Sequence, residues 1–319
     1  MVLVTGANGF IGNAIINGLR ANQLYVRGVV RSMSGKRLPG VEYAVINGMD
    51  TETDWTAILY GIAAVIHTAA RVHITNGDVQ DSIAELRRVN VDATLSLARQ
   101  SAVSGVRRFI FISSIKVNGQ GKFLNHPYDE NDIADPVDPY EITKYETEIG
   151  LYHLASKTKM DVVIIRPPLV YGPGVKANFL SMMKWIYKGI PLPLGSVHNK
   201  RSLVALDNLV DLIVTCVDHP AAANQTFMVS DGEDLSTTEL LQRMGEALGK
   251  PARLFPVPIG LLKTAATLIG KRDMAQRLLG SLQVDISKTR EVLGWIPPVS
   301  VDEGLKRTAH WYLQNLDKV

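Results

Sequence analysis

Apolar positions in the first half of the chain fall into short β-branched runs separated by longer stretches with helical spacing. Leu3-Val4, Tyr25 to Val30, Tyr43 to Ile46, Ala64 to His67, Phe109 to Ser113 and Val162 to Arg166 read as strands. Between them, Ile11 to Ala21, Ile83 to Ser101 and Tyr140 to Ser156 read as helices. Strands that are apolar nearly throughout, rather than alternating, are covered on both faces, so this order predicts an α/β fold with a doubly wound parallel sheet. After Arg166 the pattern loosens. Pro167, Pro168, Gly172, Pro173 and Gly174 crowd together, and helices then mix with loops rich in glycine and proline. One further buried run, Thr226 to Val229, is placed to rejoin the sheet. The expected division is a first domain over 1–166, with segments around 203–231 crossing back to it, and a smaller mixed α/β domain over most of 167–319.

A length of 319 residues suits two domains at roughly 150 residues each. With 46% hydrophobic and 20% charged residues, the chain has ample core and is not disordered. Its 34 basic and 31 acidic residues leave a net charge of +3, too small to argue for nucleic acid or a membrane surface as partner. One cysteine, Cys216, rules out an internal disulfide framework and any cysteine-rich metal site. Met1 to Thr5 is too short for a signal peptide, and Ile259 to Ile269, interrupted by Lys263, falls short of the roughly 20 residues of a membrane span. A soluble cytoplasmic protein without a metal is therefore expected.

Val2-Leu3-Val4-Thr5-Gly6-Ala7-Asn8-Gly9-Phe10-Ile11-Gly12 runs strand, glycine turn, helix. Gly6 permits the tight turn, Gly9 lets a pyrophosphate approach the backbone, and Gly12 lets the helix pack against the strand. The helix N-terminus then presents N–H groups to the anion. A glycine triplet alone is a weak signal; in this context it predicts dinucleotide binding. NAD-binding folds usually place an acidic residue about 20 positions further on for the ribose 2′-hydroxyl. Here no acid occurs between Gly12 and Glu42, and Arg31-Ser32 falls where the second strand should end. An arginine there either lies in solvent or pairs with a 2′-phosphate. NADP(H) is therefore favoured, with NAD(H) possible.

Pro139-Tyr140-Glu141-Ile142-Thr143-Lys144 places a tyrosine and a lysine one helical turn apart on one face. A nearby ammonium favours the phenolate and should lower the tyrosine pKa from its usual value near 10. Upstream, the strand Phe109 to Ser113 ends in Ser113-Ser114, at the sheet edge where open α/β folds bind ligands.

These segments, with His67-Thr-Ala-Ala70 and Arg166-Pro-Pro-Leu-Val-Tyr-Gly172, resemble the extended short-chain dehydrogenase/reductases in their nucleotide-sugar branch. The resemblance spans more than half the chain in the family's order. It implies a Rossmann fold and a catalytic trio. Tyr140 would exchange a proton with the substrate oxygen, Lys144 would tune Tyr140 and hold the nicotinamide ribose, and Ser114 would orient the reacting carbonyl or alcohol. It also implies cofactor contacts from Gly6, Asn8, Gly9, Phe10, Ile11, Gly12, Met49, Ala69, Ala70, Pro167 and Val170, beside Arg31, Ser32, Tyr140 and Lys144. Asn90 stands where the family has a structural asparagine. His67 is better read as a satisfied strand-end histidine than as a catalytic one.

Two departures bear on the site. Relatives usually read Ser-x-x-Val-Tyr-Gly, where this chain has Ser114-Ile-Lys116-Val-Asn118-Gly119. Lys116 is thus either a solvated loop lysine or a cation that touches substrate. Gly48-Met49 replaces an aspartate that many relatives carry near the adenine.

On the substrate side, Arg201, opening Arg-Ser-Leu-Val-Ala-Leu-Asp, resembles the family's arginine for a nucleotide diphosphate, a role suited to a planar fork of donors. Asn178 matches an asparagine that often contacts the sugar-diphosphate, and Arg272 could add a phosphate contact or lie in solvent. The resemblance is strongest to bacterial surface-polysaccharide (O-antigen) enzymes. These reduce the C4 ketone of a UDP-4-keto-6-deoxy-N-acetylhexosamine to UDP-N-acetylquinovosamine or its fucosamine epimer, so an NADPH-dependent C4 reductase is the first expectation. A UDP-hexose 4-epimerase (UDP-GlcNAc or UDP-Glc) with tightly bound NAD is the alternative, and a non-catalytic NADP sensor a third. A UDP-sugar is the expected partner, and the family's four-helix interface implies a homodimer.

Overall fold

A computed structural model describes the whole chain except residues 34–36, 72–78, 122–125, 269, 271 and 319, and the side chains of 79–82, 273–274 and 318. Its strands are β1 (Val2–Thr5), β2 (Val26–Val30), β3 (Val41–Val45), β4 (Ala64–His67), β5 (Arg108–Ile112), β6 (Asp161–Arg166), β7 (Leu169–Tyr171), β8 (Arg201–Ala205), β9 (Gln225–Met228) and β10 (Asp234–Leu235). The helices of the first half are α1 (Phe10–Ala21), α2 (Thr56–Leu59), α3 (Val79–Leu86), α4 (Ala93–Val103) and α5 (Pro139–Ala155). Then follow α6 (Ala177–Tyr187), α7 (Leu206–Asp218), α8 (Thr237–Ala247), α9 (Ile259–Leu268), α10 (Arg272–Leu279), α11 (Ser287–Leu293) and α12 (Val301–Gln314).

Seven strands form one sheet in the order β3-β2-β1-β4-β5-β6-β9. Every neighbouring pair is parallel. The reason is visible in the side chains. Val2 and Val4, Ile110 and Ile112, Val163 and Ile165 pack on one face against Ile15 and Leu19 of α1 and Leu209 and Ile213 of α7. The intervening Leu3, Phe109, Phe111, Val162 and Ile164 pack on the other face with Leu97 of α4 and Leu151 of α5. Both faces are dry, so the strands are apolar at consecutive positions. The order reverses at β1 and β4, which opens a crevice at their C-terminal ends where doubly wound folds bind ligands.

A three-stranded sheet, β10-β8-β7, gathers the smaller unit with α6, α8 and α12 around Tyr171, Phe179, Leu203 and Leu241. The predicted run at Thr226 does rejoin the main sheet as β9. Just beyond β9, buried Asp231 accepts bonds from the Tyr171 hydroxyl (2.8 Å), the Ala205 N–H (2.7 Å) and the Asn208 amide (2.6 Å). This joint locks the small sheet to the large one. The helix predicted from Ile83 to Ser101 is interrupted by a π-turn at Arg87–Asp92, a local widening that hydrophobic spacing does not reveal. Among the described residues no helix is long and apolar enough to cross a membrane.

Candidate active site

The turn after β1 is built as glycine spacing requires. Gly6 has φ +69°, and a Cβ on it would lie 2.7 Å from the Thr68 hydroxyl oxygen. A Cβ on Gly12 would lie 2.2 Å from the Gly6 carbonyl oxygen, so only glycine lets α1 come this close to the turn. Gly9 caps α1 with no side-chain bond to its first N–H groups and no acid in the first turn, which leaves them free to meet an anion. A Cβ on Gly174 would meet the Phe10 ring at 3.6 Å, bringing the loop after β7 to the start of α1. The cradle fits a dinucleotide pyrophosphate. Asn8 is exposed, Ile11 half-buried, and Ala69, Ala70 and Met49 half-buried at the same sheet edge. Pro167 is buried and Val170 half-buried beyond β6.

Arg31 and Ser32 are exposed immediately past β2, and the sequence carries no acid between Gly12 and Glu42. Glu42, the first acid after Gly12, is held by Arg27 at 2.7 and 2.9 Å.

Tyr140 and Lys144 occupy the first turns of α5, which begins with a capping box: Asp138 accepts the Glu141 N–H while Glu141 accepts the Asp138 N–H. Lys144 Nζ donates to the carbonyl of Ile112 at 2.8 Å, lies 4.4 Å above the Phe111 ring centre and 5.8 Å from the Tyr140 ring centre. Ser114 is fixed on both sides. Two residues before it, Ile112 holds Lys144; two residues after it, Lys116 Nζ contacts Glu141 at 2.7 Å and Asp138 at 3.3 Å. Tyr140 lies between these anchors in sequence, so Ser114 is clamped against the turn that carries it. The Ser114 Oγ accepts the Lys116 N–H at 3.3 Å, and neighbouring Ser113 has a buried Oγ without a partner among the described residues.

The charges differ from the sequence expectation. Burial, aided by Asp138, pushes the Tyr140 phenol up to about 12 instead of down. The Lys144 ammonium points to a carbonyl, and burial pulls it to about 8 against a smaller opposing pull from Glu148. His67 matches the satisfied reading. Its ring contacts the Thr5 and Thr94 hydroxyls at 2.8 and 3.0 Å and stacks on Phe111. Burial and then Lys144 hold it down to about 3.

Asn90, in the π-turn, accepts the Arg71 N–H at 2.8 Å and donates to the Arg71 carbonyl at 3.0 Å and to Thr143 Oγ1 at 3.2 Å. It ties the loop after β4 to the helix of the tyrosine and lysine. Lys116 spends its ammonium on two carboxylates. Arg201 is half-buried and donates to the Gly280 carbonyl at 2.9 Å; burial pulls its pKa down, and no carboxylate among the described residues pairs with it. Asn178, at the start of α6, and Arg272, at the start of α10, are exposed.

Three features escaped the sequence reading. Phe111 as a platform under Lys144 carries no local signal. The Arg166–Glu148 pair, with Asn118 on the third donor of Arg166 at 3.0 Å, joins residues far apart in the chain. The Asp138-Pro-Tyr-Glu141 box is a readable helix start, and its first turn carries the tyrosine.

The glycine cradle follows β1 at the switch point of the sheet, and Ser114, Tyr140 and Lys144 stand at the end of β5 and the start of α5. The model of the NAD dependent epimerase/dehydratase family matches residues 2–230, and the chain belongs to that family of nucleotide-sugar enzymes. A UDP-glucose 4-epimerase of Vibrio cholerae is 48% identical over 315 residues, covering 98% of this chain and 95% of that protein. The UDP-glucose 4-epimerase of Thermotoga maritima, solved with UDP-glucose, superposes with a TM-score of 0.75 at 24% identity and covers 99% of both chains. The UDP-glucuronic acid 4-epimerase of Bacillus cereus, solved with NAD, gives 0.77 at 22% identity over 98% of this chain and 96% of that one. Both shared folds place the chain in the same architecture.

Proposed function

We propose that the protein is a UDP-hexose 4-epimerase that retains its dinucleotide, with NAD as resident cofactor. The observation that carries this over the C4-reductase reading is the 48% identity to a UDP-glucose 4-epimerase over nearly the whole chain.

When bound, the nicotinamide ring supplies the hydride acceptor and donor at C4 and, while oxidised, a positive charge. In this reading Tyr140, as the phenolate that the Lys144 ammonium and the oxidised ring's charge would favour against the effect of burial, would take the C4 hydroxyl proton as the sugar is oxidised and would return it to the C4 oxygen on reduction. Ser114 donates a hydrogen bond to that oxygen and stabilises its developing charge. Lys144, held at 2.8 Å by the Ile112 carbonyl, keeps a cation beside the phenol and serves the ribose. Arg201, a half-buried cation with no carboxylate partner among the described residues, meets the diphosphate, with Asn178 and Arg272 at its margins.

One observation favours the second reading, NADPH-dependent reduction of a UDP-4-keto-6-deoxy-N-acetylhexosamine. It is the exposed Arg31 at the end of β2, where no acid claims the ribose. The deciding experiment incubates purified protein with UDP-glucose or UDP-GlcNAc and no added cofactor, then resolves the C4 epimers. Interconversion is expected. No epimer, together with NADPH oxidation on the 4-keto-6-deoxy substrate, would reverse the choice.

A further inference from the structure

Lys116 is where this chain leaves its family's usual pattern after the serines, and its surroundings are specific. The 3₁₀ turn Ile115–Asn118 carries it across to the start of α5. There its Nζ meets Glu141 Oε1 at 2.7 Å and Asp138 Oδ2 at 3.3 Å. Glu141 is 0% exposed, and its other oxygen accepts the N–H groups of Val137 (2.9 Å) and Asp138 (3.2 Å). Asp138 accepts the Glu141 N–H at 2.9 Å. Both carboxylates of one capping box therefore share a single ammonium, and Tyr140 stands between them in sequence.

We propose that Lys116 is a positioning residue for Tyr140, fixing the turn that carries the phenol and offsetting the carboxylate charge beside it. The proposal rests on the reading of Tyr140 as the proton-transfer group. Two carboxylates at the first turn of a helix are favourable for the helix dipole but unfavourable for a phenolate next to them. Asp138 does push the Tyr140 phenol up, and Lys116 is among the groups that keep Asp138 ionised. A lysine at 116 supplies positive charge to both carboxylates at once.

The other charged groups around this turn are accounted for. Lys144 is one turn further on and is engaged with Ile112. Glu148 is held by Arg166. On the helices packed alongside, Arg87 pairs with Glu146 and Arg71 with Glu85. His67, neutral at ordinary pH, lies behind Phe111. Asp135, whose N–H donates to the Val117 carbonyl, is exposed.

The test compares Lys116→Met, Lys116→Arg and Asp138→Asn in the protein with its dinucleotide bound. The readout is tyrosinate absorbance against pH, with the Tyr140→Phe spectrum subtracted to isolate one of the ten tyrosines. Lys116→Met should raise the Tyr140 midpoint by about one pH unit. Asp138→Asn, which keeps a competent helix cap, should lower it. Lys116→Arg should stay near wild type. Circular dichroism and thermal melts confirm that each variant is folded, and opposite shifts from two folded variants are not what a purely structural lysine produces. Unmoved midpoints, shifts of one sign, or no Tyr140 signal in any variant would overturn the proposal. Absence of epimerisation by wild type, with these shifts present, would remove the functional reading and leave this one standing.

Discussion

Arg166 grips Glu148 in the interior, Nε to Oε1 at 3.1 Å and Nη2 to Oε2 at 2.5 Å, with Glu148 four residues past Lys144 on the same helix. The carboxylate is thereby spent on the guanidinium, which leaves the Lys144 ammonium to the Ile112 carbonyl. A third donor of Arg166 reaches Asn118, so β6, α5 and the turn after Ser114 share one polar knot. Fully bonded knots of this kind specify geometry, and breaking them strands a charge.

Removing one partner should therefore cost more than removing both. Arg166→Met leaves Glu148 buried and unpaired and should lower unfolding free energy by about 3–5 kcal/mol. Arg166→Met with Glu148→Leu should recover part of that loss. Urea unfolding of the single and double variants measures the difference; equal losses would mean that the pair is not desolvated.

His67 predicts an acid limb in stability. Its folded-state pKa is depressed to about 3 from 6.5, so between those values the unfolded chain binds the extra proton. Its contribution is complete above about pH 6.5 and drains as pH falls toward 3, at up to about 1.4 kcal/mol per unit. His67→Gln should be less stable at neutral pH yet show a shallower slope across that window. Parallel slopes for the two proteins would show that His67 is not buried in its neutral form.

The alternation of strands and helices and the glycine turn were legible because their signals are local. Val2 to Gly12 carries its own strand, turn and helix signals, and the continuous apolar runs announce two dry faces. Tyr140 and Lys144 were legible by spacing, but their charges were not. Burial and Asp138, which raise the phenol, depend on packing. Likewise Lys116 could be read only as solvated or substrate-facing, since its carboxylates stand 22 and 25 residues away. Asn90 could be read as structural from the resemblance, but the π-turn that aims it at Arg71 and Thr143 has no periodic signature.

The helices α4 and α5 pack closely enough that a Cβ on Gly150 would lie 2.6 Å from Leu95 Cδ1, and Ile149 beside it is 52% exposed. A dimer through these helices would bury that isoleucine. Sedimentation at micromolar concentration should show a dimer, and Ile149→Arg should give a folded monomer. A wild-type monomer would remove the dimer reading.

The exposed arginine past β2 makes a separate prediction for the cofactor. Protein denatured after purification should release NAD, as expected of an epimerase that keeps its cofactor. Arg31→Asp should weaken added NADP(H) far more than NAD(H), because a carboxylate repels a 2′-phosphate and suits a 2′-hydroxyl. Equal effects on the two would show that Arg31 does not face the 2′ position. Released NADP would instead favour the reductase reading.

Tyr140→Phe keeps the ring and its packing while removing the only atom that can carry a proton. Turnover should fall by about 10²–10⁴-fold, the usual contribution of a positioned acid–base group, with nucleotide and UDP-sugar affinity nearly unchanged. Lys144→Met should behave differently. It removes the bond to Ile112 at 2.8 Å and the cation over Phe111, so it should damage both cofactor affinity and turnover. Ser114→Ala should lower turnover with little change in cofactor binding, as the proposed role of Ser114 at the sugar oxygen requires. Isothermal titration with the dinucleotide, beside single-turnover epimerisation, separates the three patterns. Wild-type turnover in Tyr140→Phe, with chemistry shown to be rate-limiting, would take the proton-transfer role away from Tyr140.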